Sequence, residues 1–112
     1  TYSDVRYAVR AYHMMLTVEP EIGAYYNIGG SHVCKISDVL NTLLDKSTKK
    51  NISIQIDPER IRPIDADLQI PDTTKFTKKT GWEPEISFDQ TMTDLLDYWR
   101  EKVSKGKMYL TR

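Results

Sequence analysis

The chain has one cysteine, Cys34, two histidines, His13 and His32, and no excess of either charge, since sixteen Lys and Arg offset sixteen Asp and Glu. A single cysteine excludes an internal disulfide and any Cys-x-x-Cys metal site. It is compatible with a reducing cytosol, and a cytoplasmic setting is expected. Neither histidine has a ligand partner at helical spacing, so no metal centre is expected. Balanced charge argues against a general nucleic-acid binder, which carries a basic excess or a basic face. The short basic runs at Lys46 to Lys50 and Lys75 to Lys79 read as solvated helix ends. No apolar run approaches the roughly 20 residues of a membrane span, and no signal-peptide pattern opens the chain. Gly29-Gly30-Ser31 has neither GxGxxG spacing nor a P-loop lysine. No Ser/His/Asp set or paired-carboxylate site emerges, so no catalytic residue is assigned.

What is present suits one domain of 112 residues. The first residue is Thr1, and it leads straight into a helical pattern, which suggests a piece of a longer polypeptide. Ser3 can cap that helix with Asp4 in its first turn, and Val5, Ala8, Val9, Tyr12, Met15 and Leu16 fall on one face as the expected core stripe. Ala24 to Ile28 reads as a short strand and Val33 to Ile36 as a second. Ser37-Asp38 opens another helix with Val39, Leu40, Leu43 and Leu44 inward. Ile52-Ser53-Ile54-Gln55-Ile56 alternates as a half-buried strand should.

Asp72 can cap a helix through Lys79, with Gly81 as its left-handed stop. Ser87-x-x-Gln90 has capping-box spacing before a last helix striped by Phe88, Met92, Leu95, Leu96, Trp99 and Val103. The expected class is therefore mixed α/β: about four helices with a few short strands, too few for a complete doubly wound sheet.

The segment from Asp57 to Leu68, DPERIRPIDADL, carries two arginines, four acids and two prolines. The prolines exclude a regular helix or central strand. Arginine offers a planar fork for phosphate oxygens, and a nearby carboxylate can accept from a ribose diol. Arg62-Pro63-Ile64-Asp65 supplies both. On residue chemistry alone, a salt-bridged connector and a nucleotide-diphosphate clamp both remain open.

Five segments in order carry a resemblance: Val5-Arg6-x-x-Val9-Arg10-Ala11-Tyr12, Tyr26-Asn27-Ile28-Gly29, Arg62-Pro63-x-Asp65, Thr80-Gly81-Trp82-x-Pro84 and Asp94-Leu95-Leu96-Asp97-Tyr98-Trp99-Arg100. From about Ser3 to Arg100 the chain resembles the C-terminal, substrate-binding part of the GDP-mannose 4,6-dehydratase family, within the extended short-chain dehydrogenase/reductases. The resemblance implies a Rossmann domain for NADP that is absent from residues 1–112. It also implies GDP-mannose or a related sugar nucleotide as ligand, room for homo-oligomerisation of the full-length enzyme, and a fragment that is silent alone. It assigns Arg62 to the diphosphate and Asp65 to the ribose, with Arg60 as a lesser candidate. Two positions depart from the family pattern. Tyr7 stands where Val-Arg-Asp would put an aspartate, and Ile64 replaces a small hydroxyl residue. A GDP-4-keto-6-deoxymannose reductase or another sugar-nucleotide epimerase/dehydratase would share these segments. A non-enzymatic helical interaction module, docking through faces such as Met92 and Trp99, is the alternative of another class.

Overall fold

The computed structural model describes residues 1–61 and 68–106. Its elements are α1 (Val5–Thr17), α2 (Ile36–Lys46), a 3-10 turn (Pro58–Arg60), α3 (Thr74–Thr80) and α4 (Phe88–Ser104). The four expected helices are all present. The three expected strands are not: among the described residues the β pairing is one isolated antiparallel bridge, Tyr2 to His32. This corrects the mixed α/β expectation for the piece itself. Alternation of β-branched residues marks a surface suited to a sheet, but a strand also needs a neighbour to pair with.

Asp4, not Ser3, caps α1, its carboxylate accepting from Arg6 N at 2.9 Å. Ser3 Oγ instead accepts from Gly30 N at 2.8 Å. The core stripe of α1 also differs from the expected one. Tyr7 and Ala11 are buried, while Val5, Val9, Tyr12 and Leu16 stay 70%, 60%, 63% and 77% exposed. The helix is apolar on two faces, and only one of them has a described partner.

That partner is the α3 hairpin to Trp82. Tyr7, Ala11, Phe76 and Trp82 form the core, with Met14, Met15, Tyr26, Ile28 and Ile86 packed around it. Trp82 and Phe76 are fully buried. Trp82 meets Tyr7 edge to face at 5.9 Å, and its Nε1 donates to Tyr7 O at 3.0 Å across 75 residues of sequence. Local chemistry aims the indole. Asp72 Oδ1 accepts from Thr74 N at 2.9 Å to start α3, and Gly81 stops it at φ 71°, a left-handed angle that glycine adopts without a Cβ penalty. Thr77 Oγ1 then donates to Trp82 O at 2.9 Å, and Trp82 N donates to Thr80 Oγ1 at 3.1 Å.

Ser87 Oγ accepts from Gln90 N at 3.1 Å and starts α4. The box closes on one side only, because Gln90 Nε2 turns to Asp94 Oδ1 at 2.6 Å. α2 packs on α4, where Lys46 Nζ meets Asp89 Oδ1 at 2.6 Å and Arg100 Nη2 donates to Lys46 O at 3.0 Å. Met92 is buried, but no residue of α2 is.

Gly29 and Gly30 fit the chain at close approach. A Cβ on Gly29 would lie 2.3 Å from Pro71 Cγ, and one on Gly30 would lie 1.6 Å from Tyr2 O. Because the obstacle at Gly30 is backbone, Gly30→Ala is expected to cost about 2 kcal/mol by overpacking. A urea midpoint indistinguishable from wild type would contradict this seam.

Candidate functional site

The candidate site begins with the local geometry of Asp57-Pro58-Glu59-Arg60. Asp57 Oδ1 accepts from Glu59 N at 3.1 Å, and Pro58 opens the 3-10 turn with its φ already set. Arg60 N donates to Asp57 O at 3.1 Å, and Arg60 Nε lies 3.0 Å from Asp57 Oδ2. Arg60 is thus held by its own turn in an exposed ion pair, a contact worth roughly 0.2–1 kcal/mol. Arg62 and Asp65 lie outside the described residues. The return of the loop is anchored, since Thr1 N donates to Gln69 O at 3.0 Å and Pro71 rests on Gly29. A shallow crevice of about 740 Å³ adjoins that return, lined by Gly29, Gly30, Ile70, Pro71, Thr74 and Lys78 among others. In the sequence Lys78 reads only as part of a solvated run, Lys75 to Lys79.

A second cleft, of about 380 Å³, lies between the starts of α1 and α4 and includes Tyr2, Ser3, Asp4, His32, Ser87 and Thr91. Its centre is a carboxylate that sequence reading treated as a helix-start residue. Asp4 is buried, and beyond its cap it accepts from Arg6 Nε at 2.9 Å, Arg6 Nη2 at 2.7 Å and Thr91 Oγ1 at 2.8 Å. Arg6 Nη1 continues to Asp94 Oδ2 at 2.6 Å, so one guanidinium bridges α1 to α4. The Arg6 hydrogen bonds hold the Asp4 carboxyl well below the usual carboxylate range, against the opposing effect of burial. Asp94 is lowered too, first by Gln90 and then by Arg6. Most of the polar side chains of this cleft already have partners. Ser3 serves Gly30, Ser87 serves Gln90, Thr91 serves Asp4, and Glu85 sits 2.7 Å from Arg10. The cleft is a fastened seam.

The remaining chemistry-bearing side chains are engaged in packing or left in solvent. His32 lies flat on Phe88 with ring centroids 4.1 Å apart, and His13 is exposed on α1. Burial, then Asp38, pushes the Cys34 thiol up, away from nucleophile chemistry. Among the described residues no group of three or more His, Cys, Asp or Glu could hold a metal ion. No helix among them is long and apolar enough to cross a membrane. Gly29 and Gly30 are closely packed, and a methyl group on either would strike Pro71 or Tyr2. What the described residues offer is Arg60, held by Asp57 in its own turn, and a segment anchored again at Gln69 and Pro71.

Its sequence places the chain among sugar-nucleotide enzymes. The chain belongs to the GDP-mannose 4,6 dehydratase family, whose model matches residues 1–95. It is also similar to the GDP-6-deoxy-D-mannose reductase of Pseudomonas aeruginosa, at 28% identity over 102 residues that cover 91% of this chain. The chain spans about one third of that relative, 33% of its length.

Proposed function

We propose that this chain is the C-terminal, sugar-nucleotide-binding region of a GDP-mannose 4,6-dehydratase. The observation that carries the reading is the family match over residues 1–95, a span that includes Arg62 and Asp65. On this reading Arg62 engages the diphosphate bidentately, and Asp65 accepts from the ribose hydroxyls. Arg60 lends positive charge at the rim, its guanidinium steadied by Asp57 at 3.0 Å. The parent enzyme is a lyase that converts GDP-mannose to GDP-4-keto-6-deoxymannose. On the same reading, NADP is held by a Rossmann domain of the parent enzyme. The α/β architecture likewise belongs to the whole enzyme, to which this helical piece contributes one side of the ligand cleft.

The similarity to a reductase at 28% identity favours a second reading, in which the parent reduces a GDP-linked 4-keto sugar. The reaction separates the two. A dehydratase forms the 4-keto-6-deoxy sugar from GDP-mannose with no net consumption of NADPH, whereas a reductase consumes NADPH with the keto sugar and leaves GDP-mannose untouched.

Both readings share the binding loop. Arg62→Ala in the full-length enzyme is expected to weaken GDP-mannose binding by about 1.5–3 kcal/mol, the contribution of a charge-assisted contact. Calorimetric titration checks this, and an unchanged affinity would remove Arg62 from the site. If the parent is the reductase, the keto sugar nucleotide takes the place of GDP-mannose in the titration.

A further inference from the structure

The turn that follows α1 carries an apolar knob beside an apolar hollow. Ile22 stands at its tip, fully exposed, while Leu16 at the end of α1 and Tyr25 after the turn are 77% and 82% exposed. The turn is built to keep its shape. Ala24 N donates to Glu21 O at 3.2 Å, with Gly23 at φ 79°. Lys79 Nζ lies 2.9 Å from Glu21 Oε2, and Lys75 Nζ donates to Tyr25 O at 3.2 Å, so α3 braces the turn on both sides of its tip. Glu19 sits at φ 45°, a left-handed angle uncommon outside glycine, and such angles persist only where the surroundings fix them.

Against this turn lies a hollow of about 180 Å³, walled by Leu16, Val18, Ala24, Tyr26 and Phe76 and edged by Glu21 and Lys79. Small-molecule pockets begin at about 300 Å³, so a nucleotide or other ligand of that size is too large for it. An apolar cavity of about 150 Å³ takes up benzene, so the smaller side chain of an isoleucine fits. Ile22 of the same chain does not enter it. Glu21 and Ala24 form part of the wall, and Ile22 between them stays in solvent.

We infer that this face pairs with the same face of a second copy about a two-fold axis, each Ile22 seated in the other's hollow. A knob and a hollow on one patch are what a self-complementary contact requires, because each residue pair then occurs twice. Any other occupant would need a knob and a hollow of its own at matching spacing, and a second copy has both by identity. The charges allow the pairing. The patch carries both signs, Glu19 and Glu21 with Lys75 and Lys79, so a two-fold can set acid against base. One turn and one helix end make a small interface, of the class that forms and parts on dilution. The inference goes beyond the sugar-nucleotide reading and holds whichever reaction the parent performs.

Cysteine crosslinking of the full-length protein tests the pairing, with Cys34→Ser as background to remove the native thiol. Ile22→Cys mixed with Leu16→Cys should form a disulfide-linked dimer at least about 10-fold faster than either variant oxidised alone, because docking raises the local thiol concentration. Oxidation no faster in the mixture would overturn the inference, as it would if the protein's own chain covered the hollow. Sedimentation gives a second reading. Ile22→Glu, a change at a fully exposed position, should keep the wild-type urea midpoint and weaken self-association about 10-fold or more. If the protein also associates through another face, this variant removes one association step and leaves the other. Unchanged association in Ile22→Glu would sink the pairing, and should the variant's midpoint fall, the crosslinking result alone decides.

Discussion

Trp82→Ala is expected to lower stability by about 3–5 kcal/mol, the usual cost of deleting a buried indole. Native domains have only about 5–15 kcal/mol in reserve, so much of the population should unfold in mild urea. The reasons are additive in kind. Trp82 is fully buried, it packs edge to face on Tyr7 and at 5.7 Å on Phe76, and its Nε1–H donates to Tyr7 O. Removal leaves a cavity between α1 and α3 that neither helix can close, because Thr77 and Thr80 fix the backbone at position 82. Trp82→Phe keeps most of the packing and deletes the N–H donor, and should cost about 1–2 kcal/mol. The ordering of the two variants in urea melts checks the account. Equal midpoints for Trp82→Ala and wild type would mean that the indole is not the keystone described.

Asp4→Ala should cost about 3 kcal/mol, combining a lost helix cap with lost charge-assisted hydrogen bonds. The carboxylate is the shared acceptor for Arg6 and Thr91, and without it Arg6 keeps only its half of the α1–α4 bridge, to Asp94. The same network sets an acid dependence. The folded Asp4 carboxyl lies below its ordinary value of 3.8. Its contribution is therefore complete above that value and disappears as pH falls through the lower, folded one. Wild-type protein should begin to lose stability below about pH 4. Asp4→Asn, which retains a side-chain oxygen for the cap but no charge, should show a flatter acid limb. Parallel acid limbs for the two proteins would assign the dependence to other carboxylates.

The parts of the fold legible in sequence are those fixed within a turn of chain. Gly81 stopping α3 and Ser87 starting α4 act over three to four residues and were readable from residue type and spacing, whereas Asp72 accepts from Thr74 N but stands one residue before the cap position, Thr73. The face of α1 that enters the core was not. Val5, Val9, Tyr12 and Leu16 make as good a helical stripe as Tyr7, Ala11 and Met14, and the choice is made by Trp82, 75 residues away. The strands failed for a related reason: composition marked them, but among the described residues nothing pairs with them beyond the Tyr2–His32 bridge nearby. For the candidate site, chemistry named the arginines, and the Asp57–Arg60 pair at i,i+3 could have been read from DPER. The bond from Asp4 to Thr91 spans 87 residues and leaves no local mark.

That separation bears on synthesis. α1 is translated near the beginning of this stretch, yet the residues that cover Tyr7 and fasten Asp4 arrive some eighty positions later. At about 5–20 residues per second, the ribosome needs roughly 4–16 s to deliver them. Through that interval the Tyr7 face of α1 lacks its indole cover, which makes the nascent helix a natural client for a holding chaperone. Release cannot profitably precede the emergence of Trp82.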